Sequence, residues 1–74
     1  MYIYKIAAVQ RILTEDNEHK DVSCCAYYMT CSGIEHYIKV EAPRELKKLA
    51  ERYGSVMEIG LMDYSVQRIR LREG

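Results

Sequence analysis

Cys24, Cys25 and Cys31 fall within eight residues, in the stretch SCCAYYMTCSG, and His36 follows five residues later. Thiols and imidazoles at short spacing are the raw material of structural zinc sites, redox pairs and thiolate nucleophiles. Which chemistry is open depends on which of these side chains converge. A structural zinc takes four ligands, and the sequence has neither a CxxC step nor a further Cys/His pair downstream. On a strand, neighbours project to opposite faces, so Cys24 and Cys25 do not meet at one ion. Cys25 and Cys31 share parity but stand six residues apart. That is roughly 20 Å of extended chain, whereas a disulfide holds its Cα atoms within about 7 Å. Cys31 and His36 would approach one another only across a turn, and two ligands do not make a metal site. The three thiols read as small packing groups, and neither a metal nor another cofactor is expected.

Other reactive residues are similarly dispersed. His19 lies among Glu15, Asp16, Glu18 and Asp21, but the alternating oxygens and turn glycine of a calcium loop are missing. This cluster reads as a solvated loop. Ser23, Ser32, Ser55 and Ser65 have no nucleophile-elbow motif around them, and no glycine-rich phosphate loop occurs. Hydrolytic catalysis needs a nucleophile with a base, so binding is expected rather than catalysis.

The positioning elements follow from the patterning. In YIYKIAAVQRIL, Tyr2, Tyr4, Ile6, Ala8 and Ile12 repeat with period two, and β-branched and aromatic residues dominate the first half. Tyr2, Ile6, Val9 and Leu13 also fit helical spacing, which keeps a helix as the alternative. A strand is expected over 2–13, bulged near Ala8, followed by a polar loop over 14–20 and a second strand from Asp21. Ser32-Gly33 carries a turn signal, and IEHYIKVE alternates after it, which predicts a hairpin. An even loop then sorts Cys25, Tyr27, Met29, Cys31, Ile34, His36, Ile38 and Val40 to the core face. Cys24, Ala26, Tyr28, Thr30, Glu35, Tyr37, Lys39 and Glu41 fall on the polar face. APRELKKLAERYG predicts a helix: Pro43 suits the first position, Leu46, Leu49, Ala50 and Tyr53 form one stripe, and Gly54 fits a left-handed cap. Residues 55–72 predict one or two strands, with Gly60 at a bulge or close approach and Asp63 near a turn.

The fold class implied is α+β: an antiparallel three-strand meander, one amphipathic helix on one face, then one or two C-terminal strands (βββαβ or βββαββ). The 74 residues read as one domain. Seven Tyr with no Phe or Trp favour a sheet with rings near the surface. Eleven basic residues balance eleven acidic ones, so no overall field recruits nucleic acid. MYIYKIAAVQ resembles neither a signal peptide nor a membrane span, and three cysteines fit a reducing compartment. A cytoplasmic setting without membrane attachment is expected.

Two surfaces stand out. Tyr28 and Tyr37 are placed as cross-strand neighbours on the polar face, flanked by Glu35 and Lys39, which is the composition of a protein contact. QRIRLR places Arg68, Arg70 and Arg72 in one row, able to track a phosphate backbone while tyrosines stack on bases. The leading expectation is a small interaction domain, an adaptor or inhibitor that binds another protein and self-associates. Small phage-encoded inhibitors of bacterial defence are analogous in size alone. The alternative is a single-stranded nucleic-acid-binding module.

Overall fold

A computed structural model describes residues 1–72. β1 spans Tyr2–Thr14, β2 His19–Tyr28, α1 Cys31–His36, α2 Ala42–Glu51 and β3 Val56–Arg70, with a π-helical stretch, Tyr37–Glu41, joining α1 to α2. The fold is α+β. An antiparallel sheet in the order β2-β1-β3 carries the helical segment on one face and receives its last strand after it. None of the described helices is long and apolar enough to cross a membrane.

β1 is the central strand, and its period-two pattern is the reason. Ile6, Ala8 and Ile12 are buried beneath the helical layer, while both edges of the strand are paired. The turn into β2 is tight. Asn17 takes a φ of 62°, a left-handed conformation that Asn tolerates better than most residues. Its N–H donates to the Thr14 carbonyl at 3.0 Å, and the Thr14 N–H donates to the Glu18 carbonyl at 2.9 Å. The polar loop is therefore shorter than the 14–20 expected, and β2 begins at His19. The acidic residues around it do not converge: Glu18 pairs with Lys20 at 3.3 Å and Asp21 with Arg11 at 3.2 Å.

The segment 34–41 is helical, not a strand. Thr30, in extended conformation, caps α1 by accepting the Gly33 N–H at 3.2 Å, so Ser32 and Gly33 form a first helical turn instead of a hairpin. Ile34, Tyr37 and Ile38 then fall on the sheet-facing side, at the i, i+3, i+4 spacing that period-two counting overlooks. Pro43 lies within the continuous 21-residue helical run rather than at its start. A proline there lacks an N–H and its ring crowds the carbonyl four residues back. The π-helical turn just upstream, where the Ala42 N–H donates to the Tyr37 carbonyl, widens the helix where that crowding arises.

Loss of the hairpin also reverses the expected facing of β2. Its partner is β1, with Ala26 opposite Ile6 and Cys24 opposite Ala8. Val22, Cys24, Ala26 and Tyr28 therefore lie toward the helix, and Cys25, Tyr27 and Met29 are exposed. In the C-terminal segment the single-strand alternative holds, and Asp63 is within β3 rather than near a turn. One register shift lies where Gly60 and Leu61 pass Arg11 and a second at Met57, between the partners of Leu13 and Thr14; neither is at Ala8. A Cβ at Gly60 would stand 3.1 Å from the Arg11 carbonyl oxygen, which is the close approach the glycine implied. Gly54, at φ 80°, ends the helix as expected, donating its N–H to the Glu51 carbonyl at 3.1 Å.

The core is Ile6, Ala8 and Ile12 from β1, Val22 from β2, Tyr37, and Ala42, Leu46 and Ala50 from α2. Of the predicted helix stripe, Leu46 and Ala50 are buried, Leu49 is half-buried, and Tyr53 lies past the helix end and exposed. Leu46→Ala should cost about 2–5 kcal/mol in urea unfolding, and Leu49→Ala distinctly less. An equal or larger loss for Leu49→Ala would contradict this packing.

Candidate functional site

Tyr28 and Tyr37 do meet, with ring centroids 5.8 Å apart and planes tilted by 52°, but as strand against helix rather than strand against strand. Tyr37 is only 2% exposed and belongs to the core, so it is not available as a contact residue. Its hydroxyl donates to Cys24 Sγ at 2.9 Å. The Tyr28 hydroxyl donates to Glu41 Oε2 at 2.7 Å, and His36 Nε2 lies 3.7 Å from the other carboxylate oxygen of Glu41. Gly33 makes room for this seam. A Cβ there would stand 2.6 Å from Cδ1 of Tyr28. Glu35 and Lys39 are exposed on the helical segment, but the two-tyrosine face they were expected to flank does not exist.

The thiol of Cys24 and the hydroxyls of Tyr28 and Tyr37 are held in their protonated forms. Burial pushes the Cys24 thiol upward, against the opposing effect of the Tyr37 hydroxyl that donates to it. Burial, then the hydrogen bond to Cys24, raises Tyr37. The hydrogen bond to Glu41 raises Tyr28. A raised thiol pKa is the opposite of what a nucleophile needs. This seam fastens the helical segment to the sheet. Cys25 and Cys31 are exposed and free. Cys31 opens α1 and His36 closes it, so they no longer flank a turn. Among the described residues, no three His, Cys, Asp or Glu side chains are grouped to hold a metal ion.

β3 presents a different surface. It is an edge strand of 15 residues, and Met57, Ile59, Leu61 and Tyr64 are all more than half exposed, Leu61 at 92%. Met62, Tyr64 and Val66 stand opposite Gln10, Ala8 and Ile6, on the face that carries the helix. The helical layer packs mainly over β1 and β2, covers Met62 in part and leaves Tyr64 and Val66 open. The cause is geometric: a helix about 10 Å wide covers two strands spaced about 4.8 Å, not three. The strand pattern expected over 55–72 includes Met57, Ile59 and Leu61 but does not mark them as surface. One helix against three strands was the signal that a strand would stay bare.

Arg68 and Arg70 share a face, opposite Tyr4 and Tyr2, and the Arg68 guanidinium lies 4.6 Å from the centroid of the Tyr2 ring. Arg72 lies beyond the end of β3 and is exposed, so the row within the strand has two members. The sheet face opposite the helix mixes single apolar groups with Lys5, Arg11, Asp21, Ser23, Ser65 and Gln67, an ordinary solvated surface.

No known protein family, curated protein or solved structure matches this chain, so the geometry of the seam and of β3 carries the functional argument.

Two outcomes test the seam. Iodoacetamide should label Cys25 and Cys31 readily and Cys24 slowly, read by mass spectrometry of peptides; fast labelling of Cys24 would contradict its shielding. The raised pKa of Tyr37 means its protonated form is favoured in the fold. That stabilisation is complete below the unfolded-state tyrosine pKa of about 10 and is lost as pH rises, because the unfolded chain then releases its proton first. The urea midpoint should therefore fall above about pH 10, and fall less in Tyr37→Phe.

Proposed function

We propose that this chain is a protein-interaction domain, an adaptor or inhibitor that acts by binding another polypeptide along β3 rather than by catalysis. The observation that carries the reading is the long edge strand with its uncovered apolar side chains. A strand edge offers a row of unpaired N–H and C=O groups, and an added strand gains main-chain hydrogen bonds from them while side-chain pockets set specificity. Monomeric proteins usually blunt such edges with lysine, proline or a covering loop. β3 contains no lysine and no proline. Its two register shifts, at Gly60–Leu61 and at Met57, leave Met62–Arg70 as a regular stretch. The cytoplasmic setting is part of the proposal and rests on three free thiols, which suit a reducing compartment.

A second reading, single-stranded nucleic acid binding, draws on Arg68 stacked on Tyr2 with Arg70 on the same face. Stacking platforms beside cationic side chains bind bases this way. Two arginines in a chain of zero formal net charge make the weaker case.

Quantitative pull-down from host lysate, comparing the parent with Leu61→Lys/Tyr64→Lys, separates these readings. The protein reading predicts a specific partner lost in that variant and kept in Arg68→Gln/Arg70→Gln. Tight oligothymidine binding that weakens steeply with salt and vanishes in the arginine variant would replace it with the nucleic-acid reading.

A further inference from the structure

We propose that the β3 edge takes up a foreign, acidic strand, paired antiparallel with Met62–Arg70. Its apolar side chains face Met62, Tyr64 and Val66, and its carboxylates face Arg68 and Arg70. The inference rests on reading β3 as the binding edge and adds the chemistry of the occupant.

Register sorts this edge into two faces. Met62, Tyr64, Val66, Arg68 and Arg70 oppose Gln10, Ala8, Ile6, Tyr4 and Tyr2 of β1, so all five lie on the face that carries the helical layer. Tyr64 and Val66 are exposed there and Met62 is half-buried. One strip therefore reads apolar over three alternate positions and cationic over the next two. A strand added at this edge lays its own alternate side chains along that strip. The strip also has a definite length. Below Met62 the shift at Gly60–Leu61 breaks the ladder. The nine residues from Met62 to Arg70 span about 30 Å at about 3.4 Å each, enough for an ordinary strand. Pairing is antiparallel throughout this sheet, and antiparallel ladders are slightly the more stable kind.

Charge decides what the far end of the strip accepts. The ion pairs among the described residues are Arg11–Asp21, Lys20–Glu18 and His36–Glu41, and none involves Arg68 or Arg70. Two carboxylates of the helical layer stand over β2 instead: Glu41 accepts from Tyr28, and Glu45 lies beside Cys24. Arg68 lays its guanidinium over the Tyr2 ring at 4.6 Å. Stacking engages the flat face of a guanidinium and leaves its edge N–H donors for a carboxylate, which they hold bidentately.

The same register excludes a second β3 as the source of those carboxylates. Glu58 and Asp63 oppose Leu13 and Val9 and so lie on the other sheet face. Antiparallel pairing keeps faces matched, so another copy of β3 offers Arg68 and Arg70 no acid. The occupant is a different sequence.

The probe is a fluorescein-labelled nine-residue peptide, ETETVTVKV, with blocked ends. Laid antiparallel, its glutamates meet Arg70 and Arg68, its valines meet Val66, Tyr64 and Met62, and its lysine meets Asp63. TETEVTVKV has the same composition with the glutamates turned to the other face, and TTTTVTVKV lacks them. Fluorescence anisotropy should give a Kd of about 10 μM for ETETVTVKV, and at least tenfold weaker binding for the other two. Arg68→Gln/Arg70→Gln should weaken ETETVTVKV at least tenfold and leave TTTTVTVKV unchanged. Tyr64→Lys should abolish both, with circular dichroism showing each variant folded like the parent. Equal binding of all three peptides overturns the acidic occupant and leaves the edge reading intact. Binding of ETETVTVKV that survives Tyr64→Lys places the contact elsewhere and sinks both. If none of the peptides binds, the acidic occupant is overturned, and the edge reading stands or falls on the Leu61→Lys/Tyr64→Lys pull-down. Labelled oligothymidine that binds more tightly than ETETVTVKV, and is lost in the arginine variant, assigns the arginines to nucleic acid and overturns the proposal.

Discussion

β1 is hydrogen-bonded to β2 along one edge and to β3 along the other, and Ile6, Ala8 and Ile12 project from it into the buried core. Removing that strand would leave β2 with its helix and β3 with nothing. A 74-residue chain buries only about 60% of the surface its unfolded state exposes, so one central strand serving two neighbours and one helical layer is an economical use of few apolar residues. The same economy leaves a deficit. The helical run is too narrow for three strands, and it sits where Val22, Cys24 and Tyr28 can meet Tyr37, Leu46 and Ala50. β3 is held mainly by backbone pairing, with Val56 and Met62 packed against the core.

The tyrosine seam shows how the helical layer is fixed in place. Tyr37 fills the core and spends its hydroxyl on the Cys24 thiol, while Tyr28 reaches Glu41 across the top of β2. Buried polar groups stay stable only when paired, and among the described residues no buried side-chain nitrogen or oxygen lacks a partner. Replacing phenylalanine with tyrosine in such a core gives orientation as well as volume: each hydroxyl has one acceptor within reach, which restricts how the helix lies on the strand. The widened turn before Pro43 fits the same picture, since it lets one helical run pass from the α1 end of the sheet to α2 without a break.

Much of this was legible in the residues. The β1 pattern, the α2 stripe, its glycine cap and the Gly60 approach follow from periodicity and steric rules that operate over a few residues. The segment 34–41 was not, because IEHYIKVE satisfies both period two and helical spacing, and the choice is made by Thr30 capping and by packing on β2. That one ambiguity carried the facing of Cys24 and Cys25 and the exposure of Tyr37 with it, since strand parity shifts whole faces at once. The uncovered row on β3 depends on layer widths, a tertiary quantity that no local pattern contains.

On the proposed function, the outer edge of β3 contacts another chain while β1 is sealed within its own. Residue-resolved amide hydrogen exchange in the parent and in Tyr64→Lys, each mixed with the peptide ETETVTVKV, tests it most directly. β1 amides should be strongly protected in both proteins, whereas β3 amides that point away from β1 should be protected in the parent and exchange freely in the variant. Outward β3 amides that exchange freely in both, with the peptide in saturating excess, would contradict that contact.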